Sequence, residues 1–225
     1  MAKKNVSVED QNLENVQEAL NTTTMWIEKN QKKLLIAVSA IVVLIVAVLG
    51  YNQYVVKPNQ ENINNENALA TVYFMQGNYE VALNGDSANC VGFKEIADEY
   101  TMYQGGKLAA LYTGICYFQM GQYEDAVEYL KKFDAKDVNV APAALQLLGD
   151  TYVRLEDYNN AAKAFESAAN SGNKVIAPMS LRKLGFVYIE LGDKAAAKKA
   201  FETIKNEYPA SAEASDIDKY ISIAE

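Results

Sequence analysis

A pattern that repeats from about residue 63 onward restricts the possible folds more than any other feature of this sequence. Four short stretches align with one another: QGNYEVA (76–82), MGQYEDA (120–126), LEDYNNA (155–161) and LGDKAAA (191–197). The last three extend backwards into similar segments, in which a glycine recurs at positions 114, 149 and 185, with spacings of 35 and 36 residues. A fixed period of this length predicts an array of stacked structural repeats.

Each repeat has the composition of two antiparallel helices that pack closely. A tyrosine follows each of these glycines by three residues, a small residue comes next, and a large residue follows it, at Ala126 and Leu130, Ala161 and Phe165, and Ala197 and Phe201. We expect the glycine to let the neighbouring helix approach, the aromatic ring to fill the space between helices, and the alanine to allow contact across the pair. One pair cannot bury its apolar face alone, so several pairs must stack.

Two segments, LGDTYVRLEDYNNAAKAF (148–165) and LGFVYIELGDKAAAKKAF (184–201), resemble the tetratricopeptide repeat. That family has a period of about 34 residues and the pattern W-x2-L-G-x2-Y...A-x3-F...P. Residues 107–140 depart from it at Thr113 and Phe133, the first unit has Ala70 where glycine is expected, and nothing matches the tryptophan. The resemblance implies an all-α solenoid of helix pairs that binds other proteins.

The period places repeats near residues 63–84, 107–140, 142–175 and 178–211, with a C-terminal capping helix over 212–225. The distance from Gly77 to Gly121 is 44 residues, which is about ten more than one period. We assign the excess to residues 85–106, where the sequence predicts a loop, an amphipathic helix near 92–101 and a Gly-Gly turn.

Residues 34–50 form an apolar run that has no charge and only Ser39 as a polar side chain. A helix extended from it through Tyr54 has about 21 residues, which is enough, at about 1.5 Å each, to cross a hydrocarbon core of about 30 Å. A cleaved signal peptide is the alternative, but its apolar core has about 7 to 15 residues and a small-residue cleavage site follows it. Neither property is found here, so we predict a permanent transmembrane anchor over 34–56.

The distribution of lysine predicts the orientation of this anchor. Lysines at positions 29, 32 and 33 precede it and only Lys57 follows it, so the N-terminus should remain in the cytoplasm. Residues 1–33 are then a cytoplasmic segment with a short amphipathic helix, followed by a polar stretch over 21–24. Residues 57–64 are a linker or a helix start, and the repeat domain, 57–225, lies on the far side of the membrane.

Composition argues against several kinds of function. Residues 58–225 carry 15 Lys and Arg against 24 Asp and Glu, whereas a nucleic-acid partner needs a basic surface. The chain has no histidine, which excludes His-liganded metal sites and Ser-His or Cys-His nucleophile pairs. We expect no enzymatic activity, no cofactor and no small-molecule substrate. Cys90 and Cys116 could pair in an oxidising compartment, but their spacing alone does not decide this.

The resemblance to tetratricopeptide repeats also implies a groove on the concave side, lined by the first helix of each pair. About half of the positions that fall there are large and apolar, which favours an apolar segment of a partner protein. The alternative is that Phe118 and Phe186 simply pack against adjacent helices. Gln146 and Asp150 fall on the same face. The predicted protein-binding residues are Phe74, Met75, Leu111, Ile115, Phe118, Val153, Arg154, Met179, Arg182, Phe186 and Ile189.

The whole layout resembles that of the YfgM-like proteins, ancillary subunits of the bacterial Sec translocon with one N-terminal anchor and periplasmic tetratricopeptide repeats. The segment GGKLAALYTGICYFQMGQYEDAVEYL (105–130) carries part of this resemblance. It implies a single-pass protein of the bacterial inner membrane, with translocon subunits, a membrane-anchored periplasmic chaperone and exported polypeptides as partners. A scaffold for another cell-envelope assembly complex is the alternative.

Overall fold

A computed structural model describes residues 8–86, 89–134 and 137–225 of the chain, and their side chains from residue 24 onward. The chain divides into two compact units, Met1–Pro58 and Asn59–Glu225. The described residues are helical except for turns and one sheet of two very short strands. The predicted all-α class is confirmed.

The first unit is built on one long helix, α1 (Val8–Tyr51), followed by a π-helical turn, Asn52–Val56. The short helix predicted within residues 1–33 is therefore wrong in its extent. Because residues 8–49 contain neither proline nor glycine, the polar stretch at 21–24 has nothing that would end a helix. The apolar run makes this segment long and apolar enough to cross a membrane, with a mean hydropathy of 2.9 over 18 residues, none of it buried.

The elements that follow are mainly helices joined by short turns. The first of them includes residues 57–64, which are therefore helical and not a linker. In chain order, the elements that follow the π-helical turn are α2 (Lys57–Met75), α3 (Tyr79–Asn84), β1 (Gly85–Asp86), β2 (Cys90–Val91), α4 (Phe93–Glu99), α5 (Gln104–Gln119), α6 (Tyr123–Lys132), α7 (Val140–Arg154), α8 (Tyr158–Ala169), α9 (Ile176–Glu190), α10 (Lys194–Glu207), a 3-10 turn (Ala212–Asp216) and α11 (Ile217–Ile223).

The repeated glycines allow the two helices of each pair to approach. A Cβ atom on Gly149 would lie 2.5 Å from Cε1 of Phe165, and a Cβ atom on Gly185 would overlap the ring of Phe201. Both rings are almost completely buried. The predicted role of glycine at this position is confirmed, because any larger residue would meet a ring that has little room to move.

The turn inside each pair requires a left-handed residue. Gly77, Gly121 and Gly192 have φ values of 76°, 76° and 75°, and Glu156 takes the same position with φ 58°. Asp193 then begins α10 by accepting a hydrogen bond from the backbone N–H of Ala196. A carboxylate at this position satisfies one of the N–H groups that a helix start leaves without a partner.

A hairpin interrupts the second helix of the first repeat. α3 ends at Asn84, β1 pairs antiparallel with β2, and α4 begins at Phe93. The chain returns to the point at which it left the helix, because a Cβ atom on Gly92 would overlap the carbonyl oxygen of Leu83. α3 and α4 together therefore occupy the place of one second helix. The sequence predicted a repeat that ends near residue 84 and a helix near 92–101, with a loop in place of the hairpin.

The packing of α4 supports this description. Phe93 and Ile96 are fully buried and are three residues apart, like Phe201 and Ile204 in α10. The Phe93 ring stacks on the ring of Tyr112 in α5, with 4.8 Å between centroids. α4 thus supplies the large residues that the second helix of a pair normally provides.

The predicted Gly-Gly turn is wrong. Gly105 and Gly106 lie at the start of α5, and a Cβ atom would overlap the Ile63 side chain at the first position and the Tyr100 carbonyl oxygen at the second. These glycines are needed for close packing. The turn itself lies just before α5, where the Tyr103 N–H donates to the Tyr100 carbonyl oxygen.

The last helix pair is covered by the 3-10 turn and α11. Ile217 and Ala224 are 2% and 3% exposed, and the Tyr220 ring lies 5.8 Å from that of Phe201. Both cysteines, Cys90 and Cys116, are buried free thiols. Their sulfur atoms are therefore not joined in this structure.

Candidate protein-binding groove

A pocket between the first helices of successive pairs brings two of the predicted groove residues together. α7 contacts α9 directly, and Val153 and Phe186 both line a pocket of about 260 Å³. Its other lining residues, contributed by α7, α8 and α9, are Asp150, Tyr158, Phe165, Lys183, Val187 and Glu190.

The apolar part of this pocket has a fixed base and an accessible rim. Phe165 is 1% exposed and lies against Gly149, so its ring cannot move away easily. Phe186 is 39% exposed, and its ring meets those of Phe201 and Tyr220 edge-on, with centroids 5.6 and 5.0 Å away. One ring edge is thus packed, as the alternative interpretation expected, while part of the same ring remains open to the pocket.

An ion pair crosses the pocket from α7 to α9. Lys183 Nζ lies 2.6 Å from Oδ2 and 2.8 Å from Oδ1 of Asp150, and about a third of each side chain is exposed. The same ammonium group is 5.8 Å from the centre of the Phe165 ring. The cation nearest the apolar base is therefore already neutralised by its own chain.

The Arg182 guanidinium also has hydrogen-bond partners within its own chain. Its Nη2 donates to Asp216 at 3.1 Å and to the Tyr220 hydroxyl at 2.9 Å, and its guanidinium lies over the Tyr220 ring, 4.9 Å from the centroid. The hydrogen bond to Tyr220 and the charge of Asp216 raise the pKa of Arg182 above its ordinary value. This residue ties α9 to the C-terminal cap and is not free to clamp a carboxylate.

The predicted residues on α2 and α5 do not continue this pocket. Phe74 is half-buried among the rings of Tyr79, Phe93 and Tyr112. Leu111 is only 7% exposed, because it packs into the core between α5 and α6, so its assignment to an accessible groove is wrong. Ile115 and Phe118 are half-buried, the second against Tyr123.

The remaining predicted residues are spread over different surfaces. Met75 is 81% exposed, and Met179 lines a separate cavity of about 540 Å³ with Tyr208 and Pro209. Arg154 is exposed at the end of α7, while Ile189 packs against the core of the last pair. Of the predicted groove residues, Val153 and Phe186 thus line the pocket between α7 and α9, and the others do not.

Lys183 lines this pocket, although it is not among the predicted protein-binding residues. The signal that was available is a lysine one residue after a predicted groove position, with an aspartate at the equivalent face of the preceding repeat. Among the described residues, no group of three or more Cys, Asp or Glu is arranged to hold a metal ion. What the site offers a ligand is therefore an apolar pocket with an ion pair on its rim.

Comparisons with known proteins agree on the type of fold. The sequence profile of anaphase-promoting complex (cyclosome) subunit 3 matches residues 95–168, and a tetratricopeptide-repeat profile matches residues 179–211. No curated protein sequence matches the chain.

The solved structures that are similar to it include the following two. The crystal structure of MamA is 21% identical with a TM-score of 0.51, and covers 69% of this chain and 91% of its own. The second is the Q17M crystal structure of nearly identical TPR-like repeats of a putative kinesin light chain from Podosopora anserina. It is 14% identical with a TM-score of 0.54, and the match covers 73% of this chain and 85% of that chain. At these identities the likeness concerns the fold alone.

Proposed function

We propose that this tetratricopeptide-repeat protein is a membrane-tethered, non-enzymatic module that binds an apolar segment of another protein in the pocket between α7 and α9. Repeats of this kind are typically interaction scaffolds. The observation that carries the proposal is the partly exposed Phe186 ring, which lines this pocket together with Val153 and the buried Phe165 ring. Aromatic anchors in such pockets dominate the energetics of many interfaces.

The charges around the pocket support an apolar occupant. Lys183 and Arg182 are both held by carboxylates of their own chain. A partner that presents its C-terminal carboxylate would have to compete with these ion pairs. An apolar side chain enters without disturbing either pair.

The proposal extends to location and partners. The apolar helix would anchor the protein in the inner membrane of a bacterium, with the N-terminus in the cytoplasm and the repeats in the periplasm. Its layout resembles that of the YfgM-like proteins, which favours association with the Sec translocon, with a membrane-anchored periplasmic chaperone and with exported polypeptides. The alternative is a scaffold for another envelope complex.

The test is recovery of partners from intact cells. The tagged protein is cross-linked chemically, solubilised in mild detergent and purified, and the proteins that accompany it are quantified by mass spectrometry. Translocon subunits and a periplasmic chaperone in stoichiometric amounts would support the export role. Recovery of a different envelope complex would support the scaffold, and recovery of neither would contradict both.

A substitution then links the partner to the pocket. Phe186→Ser should lower recovery of the partner about tenfold, because it removes the accessible aromatic wall. Leu191→Ser, at the end of the same helix, is the matched control, since Leu191 is 38% exposed and Phe186 39%. Circular dichroism checks that both variants stay folded. Equal recovery with the two folded variants would show that the pocket is not the binding site.

A further inference from the structure

One edge of the unit Asn59–Glu225 is formed by the loops that join successive helix pairs. α5, α7 and α9 each begin at one of these loops, because the second helix of every pair returns the chain to the same side. The loops present large apolar side chains to solvent: Met102 is 89% exposed, Val138 64% and Val175 69%. Val140, at the start of α7, is also exposed. We call these four residues the loop edge.

Hydrogen bonds within and between the loops fix this edge. Oδ1 of Asp137 accepts from two backbone N–H groups of its own loop, at 2.7 and 2.8 Å. One repeat later, Oδ1 of Asn173 accepts from two N–H groups of its loop, both at 3.0 Å. The Asn173 amide also donates to the Val138 carbonyl oxygen at 3.1 Å and so joins the two loops. Val138 and Val175 are therefore exposed on a backbone that is held in place.

The loop edge differs in charge from the opposite edge, which is formed by the turns within pairs. Segments of equal length centred on the four loops carry six acidic and six basic side chains. Those centred on the four turns carry seven acidic and two basic ones. The loop segments are 97–107, 131–141, 167–177 and 205–215, and the turn segments are 72–82, 116–126, 151–161 and 187–197. An anionic surface therefore repels the side of the turns and not the side of the loops.

The chain also enters this unit at the loop edge. The Asn59 side chain donates to the Tyr103 hydroxyl at 3.0 Å, and Tyr103 follows Met102 directly in the chain. Asn59 comes five residues after Tyr54, at the end of the apolar run, which is at most about 18 Å of chain. The first loop is thus tethered close to any surface that the apolar run occupies.

We propose that the loop edge lies on the surface of the membrane, with Met102, Val138 and Val175 among the lipid headgroups. This rests on the membrane anchoring proposed above, because a tether raises the effective concentration of a surface whose few apolar side chains would bind lipid weakly alone. Exposed apolar residues mark contacts with proteins or with membranes. The short tether and the charge difference between the two edges both favour a bilayer. The pocket between α7 and α9 then stays accessible, because Val153 and Glu190 lie at the far ends of these helices.

The test is fluorescence quenching of the full chain in vesicles of phosphatidylcholine and phosphatidylglycerol in equal parts. A fluorophore is coupled to Val175→Cys or, as the matched control, to Leu191→Cys. Both positions are exposed, and they flank the two ends of α9. A small share of the lipid carries a nitroxide near its headgroup. The native Cys90 and Cys116 are buried and stay in every variant.

The nitroxide should quench the label of V175C at least about five times more strongly than that of L191C, because the 15 residues of α9 place the labels about 22 Å apart and an interfacial side chain penetrates only about 5–10 Å. Equal quenching would overturn the proposal. Quenching at M102C without quenching at V175C would also overturn it, because a tether alone brings only the first loop to the surface. Protection of V175C from a water-soluble thiol reagent in cell membranes, without quenching in vesicles, would show a protein on this edge in place of lipid.

Glutamate substitutions separate contact with lipid from mere proximity. Met102→Glu with Val138→Glu should lower the ratio of docked to undocked units, read from the V175C label, more than about tenfold, since one charge near an anionic surface changes such a ratio about fivefold. Val72→Glu with Met75→Glu is the matched control, because it changes an exposed valine and an exposed methionine away from this edge. Equal effects of the two pairs would contradict the contact.

Carbonate extraction of the same vesicles tests the anchor separately. Stronger quenching of V175C than of L191C in a protein that carbonate extracts would support the lipid contact and refute the anchoring. Equal quenching in a protein that stays with the vesicles would refute the lipid contact alone, and equal quenching in an extracted protein would refute both.

Discussion

Substitution of Gly185 by alanine tests the packing that defines each repeat. Gly185 lies inside α9, and an added Cβ atom would overlap Cε1 and Cζ of Phe201 and lie 2.8 Å from its Cδ1. The ring of Phe201 is completely buried and touches the rings of Phe186 and Tyr220. It has no open space into which it could move.

Two opposing effects determine how much Gly185→Ala changes the free energy of unfolding. Overpacking of a filled core costs about 1–3 kcal/mol, and the confined ring of Phe201 places this site near 3. Alanine is better than glycine inside a helix by about 1 kcal/mol. We therefore expect a net loss of about 2 kcal/mol in the free energy of unfolding of the unit 59–225, which corresponds to a decrease of about 1 M in the urea midpoint.

A double-mutant cycle, in which circular dichroism monitors the unfolding of each variant, separates these effects. In a Phe201→Leu background the ring is absent, so Gly185→Ala should be neutral or stabilising by up to about 1 kcal/mol. The coupling between the two positions is then about 2 kcal/mol or more. If Gly185→Ala stabilises the unit in both backgrounds, the close approach of the two helices at this glycine is refuted.

Two further predictions concern single side chains. Asp193→Ala should lower the free energy of unfolding by about 1 kcal/mol in urea titrations, and Asp193→Asn should not, because asparagine caps a helix equally well; equal losses would contradict the capping role. Burial raises the pKa of the Cys116 thiol to about 12, so a maleimide at pH 8 should label it only after unfolding, as read by mass spectrometry. Its neutral form stabilises the fold below about pH 9, and this contribution is lost as the pH rises toward 12; rapid labelling of the folded protein would contradict the burial.

The sequence predicted the features that recur in every repeat. A glycine at positions 114, 149 and 185, with a large residue sixteen positions later, leaves a packed helix pair as the consistent solution. The left-handed turn residue recurs in the same way, as glycine at positions 77, 121 and 192. Periodicity makes such positions visible because the same contact has to be made several times.

Features that occur once could not be recognised in this way. Gly105 and Gly106 look like a turn when they are read locally, and only the positions of Ile63 and Tyr100 explain them. The hairpin inside the second helix of the first repeat has two residues in each strand, too few for an alternating pattern. The exposure of Leu111 depends on how α6 packs over it, which is a tertiary property.

The pocket between α7 and α9 combines apolar walls with charges that are neutralised inside the chain. An apolar segment can therefore enter it without separating Lys183 from Asp150, whereas a carboxylate would compete with Asp150 for the same ammonium group. The ion pair on α7 and α9 thus favours apolar over acidic segments at this pocket.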